Sequence, residues 1–132
     1  MTDLAGLRAL VVEDEGSVAL LIEGMLEDLG CEIVASVATL GKALTTARTE
    51  TLDFAILDVN LDGELVFPVA EILRARQLPF IFSTGYGRMG VPETFKHCVV
   101  LNKPYTIEDL KETLFSMFSR RSAGGVNCAE HR

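Results

Sequence analysis

Polar residues directly follow four short apolar runs in this sequence of 132 residues. They are Glu13 and Asp14, Asp58, Thr84, and Lys103. If the apolar runs are parallel strands, their carboxyl ends meet at one edge of a sheet, and these side chains gather around one crevice. Carboxylates that share such a space raise one another's pKa unless a cation separates them, and Mg²⁺ is a hard divalent ion that prefers oxygen ligands. A lysine and a hydroxyl facing that ion would bind phosphoryl oxygens, which indicates phosphoryl transfer with Asp58 as the covalent acceptor.

Each of these residues, taken singly, also has an ordinary explanation. Asp58 alone could cap the turn that follows it, and Glu13 and Asp14 could form a solvated helix start. The threonine could be a turn hydroxyl and the lysine a surface cation. Asp62, which lies four residues beyond Asp58, is expected to shape the turn rather than to do chemistry. The phosphoryl-transfer interpretation therefore depends on finding all these residues at successive strand ends.

Strand and helix patterns alternate along the chain. Short runs of apolar residues predict five strands, at residues 8–12, 31–37, 54–57, 79–83 and 99–101. Apolar residues at three- and four-residue intervals predict helices at residues 16–29, 40–48, 66–76 and 107–118, with Thr39 and Thr106 as N-caps. Residues 88–96 include Gly90 and Pro92 and show little helical periodicity, so a loop or a short, poorly formed helix is expected there.

Strands that alternate with helices imply right-handed crossovers and a parallel sheet covered on both faces. The predicted fold is α/β: a flavodoxin-like, doubly wound, five-stranded parallel sheet with the strand order 2-1-3-4-5. It forms a single domain over residues 1–119. Residues 120–132 are polar and contain glycine, and they are expected to form a disordered C-terminal tail.

The charge balance argues against two kinds of partner. The chain has 19 acidic and 12 basic residues, which gives a formal net charge of −7 at pH 7. This charge disfavours nucleic acid or an anionic membrane as the main partner. No apolar run approaches the ~20 residues that a membrane-spanning helix needs, and the first residues lack the pattern of a secretory signal. A cytoplasmic location is therefore predicted.

The four motifs closely resemble, in the same order and over roughly residues 7–118, the receiver domain of bacterial two-component response regulators. The resemblance implies that Asp58 is the phosphoacceptor and a metal ligand and that Asp14 is a direct Mg²⁺ ligand. It also implies that Glu13 acts mainly through metal-bound water. Asn60 matches the position whose backbone carbonyl completes the protein's share of the coordination.

The resemblance also assigns the residues that follow the fourth and fifth predicted strands. Thr84 resembles the hydroxyl that tracks the phosphoryl group, and Lys103 resembles the cation that pairs with it. Lys103-Pro104 resembles the family's characteristic peptide bond, which is usually cis and aims the lysine; an X-Pro bond is where the cis form costs least.

The family's mechanism implies that a phosphohistidine on a sensor histidine kinase or a phosphotransfer protein donates to Asp58. Because such a domain catalyses its own phosphorylation and dephosphorylation, it is expected to be a signalling domain rather than a turnover enzyme. With no output domain appended, it is expected to be a stand-alone regulator that signals by binding an unknown downstream protein. A weak fourth helix puts the family's usual dimer face in doubt, so a monomer is expected.

The sequence departs from the family at one important position. Receivers typically carry an aromatic residue three positions before the lysine, where it swings inward after phosphorylation, but here that position is Val100. Residues 79–87 instead resemble the FAT GUY subgroup, whose motif places Gly and an aromatic residue after the threonine and whose fourth helix is short or mobile. We therefore expect Gly85 and Tyr86 to take over the switching role, with a static aromatic lid as the alternative for Tyr86.

Two other functions remain open at this stage. A phosphate sink would accept phosphoryl groups on Asp58 and hydrolyse them to drain a kinase, with no target of its own. A metal-dependent phosphatase of the haloacid type would also use an aspartate at a strand end as its nucleophile. That class requires a second acid two residues later, where this sequence has Asn60.

Overall fold

The computed structural model describes residues 4–122, with side chains as far as residue 119. Its strands are β1 (Arg8–Val12), β2 (Glu32–Val37), β3 (Phe54–Asp58), β4 (Asn60–Leu61), β5 (Glu64–Leu65), β6 (Phe80–Thr84) and β7 (Val99–Asn102). Its helices are α1 (Gly16–Asp28), α2 (Leu40–Thr49), α3 (Phe67–Ala75) and α4 (Ile107–Ser122). Helix α4 extends past the predicted domain boundary at residue 119. The rest of the predicted tail lies outside the described residues, so its disorder stays a prediction.

The five long strands form one parallel sheet in the order β2-β1-β3-β6-β7. Since β6 and β7 are the fourth and fifth long strands, the predicted order 2-1-3-4-5 and the doubly wound fold are confirmed. Strand β3 lies in the centre, between β1 and β6, and is fully buried. The strand order reverses between β1 and β3. Folds of this kind bind their ligands at the point of reversal.

Each face of the sheet carries its own hydrophobic core because alternate strand residues point to opposite sides. On one face Leu57 and Phe82 pack with α2 and α3 residues such as Ala43 and Val69. On the other face the core includes Ala9, Val11, Ile56, Ile22 and Leu114, the last two from α1 and α4. The helices therefore hold both sides of the sheet and leave its carboxyl edge open.

Two predicted N-caps are present. The Oγ1 of Thr39 accepts a hydrogen bond from the Lys42 N–H at 3.3 Å at the start of α2. Before α4, the Asp109 N–H donates to Thr106 Oγ1 and the Thr106 N–H donates to Asp109 Oδ2, each at 3.0 Å. This reciprocal pair satisfies two backbone donors that a helix start otherwise leaves without partners.

The expectation of a loop or a short, poorly formed helix at residues 88–96 is confirmed, because the helical structure between β6 and β7 is a single 3-10 turn at Glu93–Phe95. Phe95 anchors this turn: it is buried, stacks on Phe67 and meets Phe80 and Phe82 edge to face. The guanidinium of Arg74 from α3 lies 4.2 Å from the Phe95 ring centre. Among residues 4–122, no helix has the length and apolar character needed to cross a membrane.

Candidate functional site

The predicted site residues come together at the carboxyl edge of the sheet. Glu13 and Asp14 directly follow β1, and Asp58 is the last residue of the neighbouring β3. Thr84 ends β6, and Lys103 directly follows β7. Because β3 lies between β1 and β6, the acidic pair and the threonine approach Asp58 from opposite sides.

Glu13, Asp14 and Asp58 form an acidic cluster. Each offers a carboxylate oxygen, and these oxygens all lie within 4.8 Å of one another. Glu13 and Asp58 are buried, and Asp14 is half-buried. Hard oxygen donors at this spacing fit a small divalent cation, which would relieve the repulsion between the carboxylates.

Lys103 supplies positive charge to this cluster. Its Nζ donates a hydrogen bond to Glu13 Oε1 at 2.8 Å and lies 3.4 Å from Asp58 Oδ2. Burial alone would lower the pKa of Lys103, but the hydrogen bond to Glu13 and the charges of both carboxylates outweigh burial and raise it. Lys103 is therefore a permanent cation beside Asp58.

Asp58 has the most perturbed carboxyl group of the site, with a pKa raised from about 3.8 to about 7. Burial is the largest cause, followed by the hydrogen bond to Glu13 and the negative charge of Glu13. The charge of Lys103 opposes this rise, and contact with Asp14 adds to it. The ionised form of Asp58 therefore needs more positive charge than Lys103 alone supplies.

Asn60 shapes the loop that follows Asp58. Its N–H donates to Asp58 Oδ1 at 3.3 Å, and its Oδ1 accepts a hydrogen bond from the Gly63 N–H at 2.6 Å. Asp62 and Gly63, with φ values of 52° and 92°, form the two-residue turn between β4 and β5, as Asp-Gly commonly does in tight hairpins. Asp62 shapes the turn, as expected from the sequence. Coordination by the Asn60 carbonyl stays a prediction.

Thr84 is buried and connects two segments. Its carbonyl accepts a hydrogen bond from the Lys103 N–H at 2.8 Å, and its Oγ1 accepts one from the Tyr86 N–H at 3.1 Å. Turning the Thr84 hydroxyl toward a phosphoryl group would take this acceptor from Tyr86. The peptide bond between Lys103 and Pro104 is cis, as the resemblance implies.

The sequence predicts that Gly85 uses a backbone conformation that other residues resist, but in the structure that conformation occurs two residues later, at Gly87. Gly85 does not have a left-handed backbone, and a Cβ at this position would meet no atom within 4 Å. The left-handed positions are Gly87 and Gly90, with φ values of +59° and +87°. Glycine is thus required by conformation at these two positions, and the switching role of Gly85 and Tyr86 stays a prediction.

An open pocket of about 510 Å³ leads to Asp58. Its floor contains Asp58, Thr84 and Lys103, and its rim carries three exposed large apolar side chains, Leu65, Tyr86 and Met89.

Sequence reasoning missed Leu65 and Met89, because neither belongs to a periodic apolar pattern. It also missed Glu15, which lines the pocket and whose N–H donates to Glu13 Oε2 at 3.1 Å; the run Glu13-Asp14-Glu15 gave no reason to separate this residue from its neighbours.

The family model of the response regulator receiver domain matches residues 9–115, so the chain belongs to the response regulator receiver family. This confirms the resemblance seen in the sequence. No curated protein matches the chain.

Solved structures of receiver domains share this fold. The solution structure of SdrG from Sphingomonas melonis Fr1 is 39% identical, with a TM-score of 0.77, and the match covers 89% of this chain and 99% of SdrG. The BeF₃-activated conformation of SdrG, from Pseudomonas melonis Fr1, is 39% identical with a TM-score of 0.73, covering 86% of this chain and 97% of that one. The receiver domain of the sensor histidine kinase PA1611 from Pseudomonas aeruginosa PAO1 has a magnesium ion coordinated in its active site cleft. It is 25% identical, with a TM-score of 0.72, and the match covers 85% of this chain and 97% of that one.

Proposed function

We propose that this chain is a stand-alone response regulator that accepts a phosphoryl group on Asp58 and signals by phosphorylation-dependent protein binding. The observation that carries this proposal is the position of Asp58: a buried carboxylate at the end of the central strand, with Lys103 Nζ 3.4 Å away and an acidic pair beside it. The family match and the likeness to SdrG support it.

The donor set fits Mg²⁺. Asp14 and Asp58 are hard oxygen donors that face each other in the cluster, and the carbonyl of Asn60 is the third protein ligand that the family resemblance implies. The magnesium ion in the PA1611 receiver supports this choice of metal. When bound, the ion supplies the positive charge that favours the ionised form of Asp58 and neutralises phosphoryl oxygens.

The chemistry is an in-line displacement at phosphorus. An ionised carboxylate oxygen of Asp58 forms a bond to phosphorus while the bond between phosphorus and the donor's imidazole nitrogen breaks, and the imidazole leaves with that electron pair. The Lys103 ammonium lies where it can donate a hydrogen bond to the transferred group. In this proposal the Thr84 side chain rotates to donate its O–H to the same group, and the rotation carries Oγ1 away from the Tyr86 N–H.

Release of the Tyr86 N–H is the proposed start of the output signal. Tyr86 is 76% exposed and follows Gly85, so its movement would change the surface that borders Asp58. Val100, at the family's usual aromatic position, is partly buried against the core and has no ring to swing. Residues near Tyr86 therefore replace that aromatic switch in this proposal.

We also propose the setting in which the domain works. The donor is a sensor histidine kinase or a histidine phosphotransfer protein, and the receiver of the signal is a protein. The chain acts as a self-phosphorylating and autodephosphorylating domain, not as a turnover enzyme, and works as a monomer in the cytoplasm. The formal net charge of −7 supports a protein partner over nucleic acid.

Phosphorylation by acetyl phosphate, followed by intact mass, tests the proposal. The native chain should gain one phosphoryl group with Mg²⁺ and none with a chelator, and Asp58→Asn should gain none in either case. Asp62→Asn is the matched control, because it removes an exposed carboxylate four residues away and Asn tolerates its positive φ. It should be phosphorylated like the native chain.

Absence of the Mg²⁺-dependent gain in the native chain would overturn the proposal. Where the gain occurs, the lifetime of the phosphorylated chain separates the two signalling roles. A lifetime of seconds without any phosphorylation-dependent partner would favour the phosphate sink.

A further inference from the structure

Arg88 connects the two ends of the segment between β6 and β7. It lies four residues after Thr84 and is exposed, but its guanidinium donates a hydrogen bond to the carbonyl of Cys98. Cys98 is buried directly before β7, and its own N–H donates to the Phe95 carbonyl at 3.0 Å. Arg88 is therefore bound to the end of the segment that Phe95 anchors in the core.

Tyr86 and Arg88 belong to one turn. A hydrogen bond from the Met89 N–H to the Tyr86 carbonyl, at 3.2 Å, closes this turn around Arg88. Gly87 lies in the same turn, and a Cβ added to it would be 3.4 Å from Asn102 Oδ1, so the turn rests against the end of β7. Because only one residue separates Tyr86 from Arg88, a movement of Tyr86 is passed on to Arg88.

Two hydrogen bonds hold this turn from outside. One runs from the Tyr86 N–H to Thr84 Oγ1 at 3.1 Å, and the other runs from the Arg88 guanidinium to the Cys98 carbonyl. In the proposed mechanism the Thr84 side chain rotates toward the phosphoryl group, which breaks the first bond. The second bond then opposes further movement of Tyr86, because Cys98 is buried and its position is fixed.

We propose, as a refinement that rests on the proposed phosphoacceptor function, that Arg88 is a positioning residue for the response to phosphorylation. Its guanidinium holds the turn at residues 86–89 in place and leaves the Cys98 carbonyl when Asp58 is phosphorylated. A contact that one conformation makes and the other loses favours the first by the same factor by which its removal favours the second. Removal of the guanidinium should therefore strengthen the binding of a phosphoryl analogue at Asp58.

Titration with beryllofluoride in the presence of Mg²⁺ tests this inference, since beryllofluoride activates the similar protein SdrG. Arg88→Met keeps an apolar stem of similar length but has no donor. Half-saturation, followed by the amide shifts of residues 85–91, should occur at a concentration about three- to tenfold lower than in the native chain. Loss of the positive charge alone predicts weaker binding of this anion, so the direction of the change separates the two effects.

Lys96→Met is the matched control. It removes another positive charge from the same segment, where the Lys96 ammonium pairs with the exposed Glu93 carboxylate at 2.9 Å. Because Lys96 lies outside the turn, half-saturation should stay within about twofold of the native value. If the native chain binds beryllofluoride and Arg88→Met binds it equally or more weakly, the inference is overturned.

Amide hydrogen exchange with a chelator measures how firmly the turn is held, without a phosphoryl analogue. Arg88→Met should exchange about three- to tenfold faster over residues 86–91 and at native rates over residues 59–66. Native rates over both ranges would contradict the hold by Arg88. A native chain that neither binds beryllofluoride nor is labelled by acetyl phosphate on Asp58 would overturn the proposed function; faster exchange in Arg88→Met would then limit Arg88 to a structural role.

Discussion

Two loops border the crevice that contains Asp58, and they are built in opposite ways. The first, residues 59–66 after β3, is a hairpin held by strand pairing, by the Asn60 side chain and by the buried residues Leu61 and Val66. The second, residues 85–98 after β6, is fixed mainly at its far end, where Phe95 is buried. We call these the hairpin loop and the Tyr86 segment.

The near end of the Tyr86 segment carries two exposed large side chains, and the guanidinium of Arg88 ties this end to the carbonyl of Cys98 at the far end. Tyr86 and Met89 are 76% and 77% exposed, and the hydrogen bond between the Tyr86 N–H and Thr84 Oγ1 ties this end to the site. From this difference we expect the hairpin loop to keep Asp58 in place and the Tyr86 segment to change conformation when Asp58 is phosphorylated.

The anchor of the Tyr86 segment gives the largest expected effect. Phe95→Ala removes a ring that packs against Phe67, Phe80 and Phe82, so it should lower the free energy of unfolding by about 3–5 kcal/mol. Met89→Ala in the same segment is the control, with an expected change within about 0.5 kcal/mol. Urea unfolding measures both. A cost below about 1 kcal/mol for Phe95→Ala would mean that the segment has no fixed end.

The buried carboxylate of Asp58, which both loops border, gives the next largest expected effect on stability. Because the folded pKa of Asp58 is about 7 and the ordinary value is about 3.8, the folded state binds its proton more tightly. The contribution of Asp58 to stability is therefore fully present below about pH 4 and is lost as the pH rises through about 7. Asp58→Asn, which carries no charge, should be more stable than the native chain by roughly 2 kcal/mol at pH 8, once solvent screening is allowed for.

Thermal unfolding at several pH values checks this prediction. The Tm advantage of Asp58→Asn should shrink from pH 8 to pH 4, and at pH 8 added Mg²⁺ should reduce it by stabilising the native chain. An advantage that does not change with pH would show that the charge of Asp58 does not destabilise the fold.

Substitutions at two glycines, one in each loop, allow a direct comparison of how firmly the loops are held. Gly63 in the hairpin loop and Gly90 in the Tyr86 segment have φ values of +92° and +87°, and an added Cβ would meet no atom at either position. Gly63→Ala should cost about 1–2 kcal/mol because the paired strands hold the strained backbone. Gly90→Ala should cost less than half as much because the exposed end of its segment can relax. Equal costs in urea unfolding would remove the distinction between a fixed loop and a responsive one.

Tyr86 gives the smallest expected change in stability. Tyr86→Ala should alter the free energy of unfolding by less than about 0.5 kcal/mol, since most of the side chain is in water. Its effect should appear in the response to beryllofluoride with Mg²⁺, measured as amide shifts over residues 85–91. Shifts there that match those of the native chain would limit Tyr86 to a static lid.

Much of the fold and of the site could be read from the sequence because both depend on local patterns. Apolar runs followed by polar residues mark the ends of β1, β3, β6 and β7, and parallel strands bring those ends together. The family resemblance assigned roles to Asp58, Thr84 and Lys103 before any geometry was known.

Other features could not be predicted because they depend on distant neighbours. Lys103 and Glu13 are 90 residues apart, and the distances of 2.8 and 3.4 Å from Lys103 Nζ to the carboxylates of Glu13 and Asp58 are set by the folded chain. Phe95 lies in a segment without periodicity, and its burial comes from rings on α3 and β6. The strands of the hairpin loop are too short to show alternation, although Asp62-Gly63 signals a tight turn.

The exposure of the Tyr86 segment can also be detected by fluorescence. The chain has no tryptophan and two tyrosines, Tyr86 and Tyr105. Tyr86 stands in water on the rim of the crevice, whereas Tyr105 is half-buried and accepts a hydrogen bond from Ser83 at 3.4 Å. A dissolved quencher therefore reaches the ring of Tyr86 more readily than that of Tyr105. The quenched part of the protein's intrinsic tyrosine fluorescence therefore reports chiefly on the Tyr86 segment.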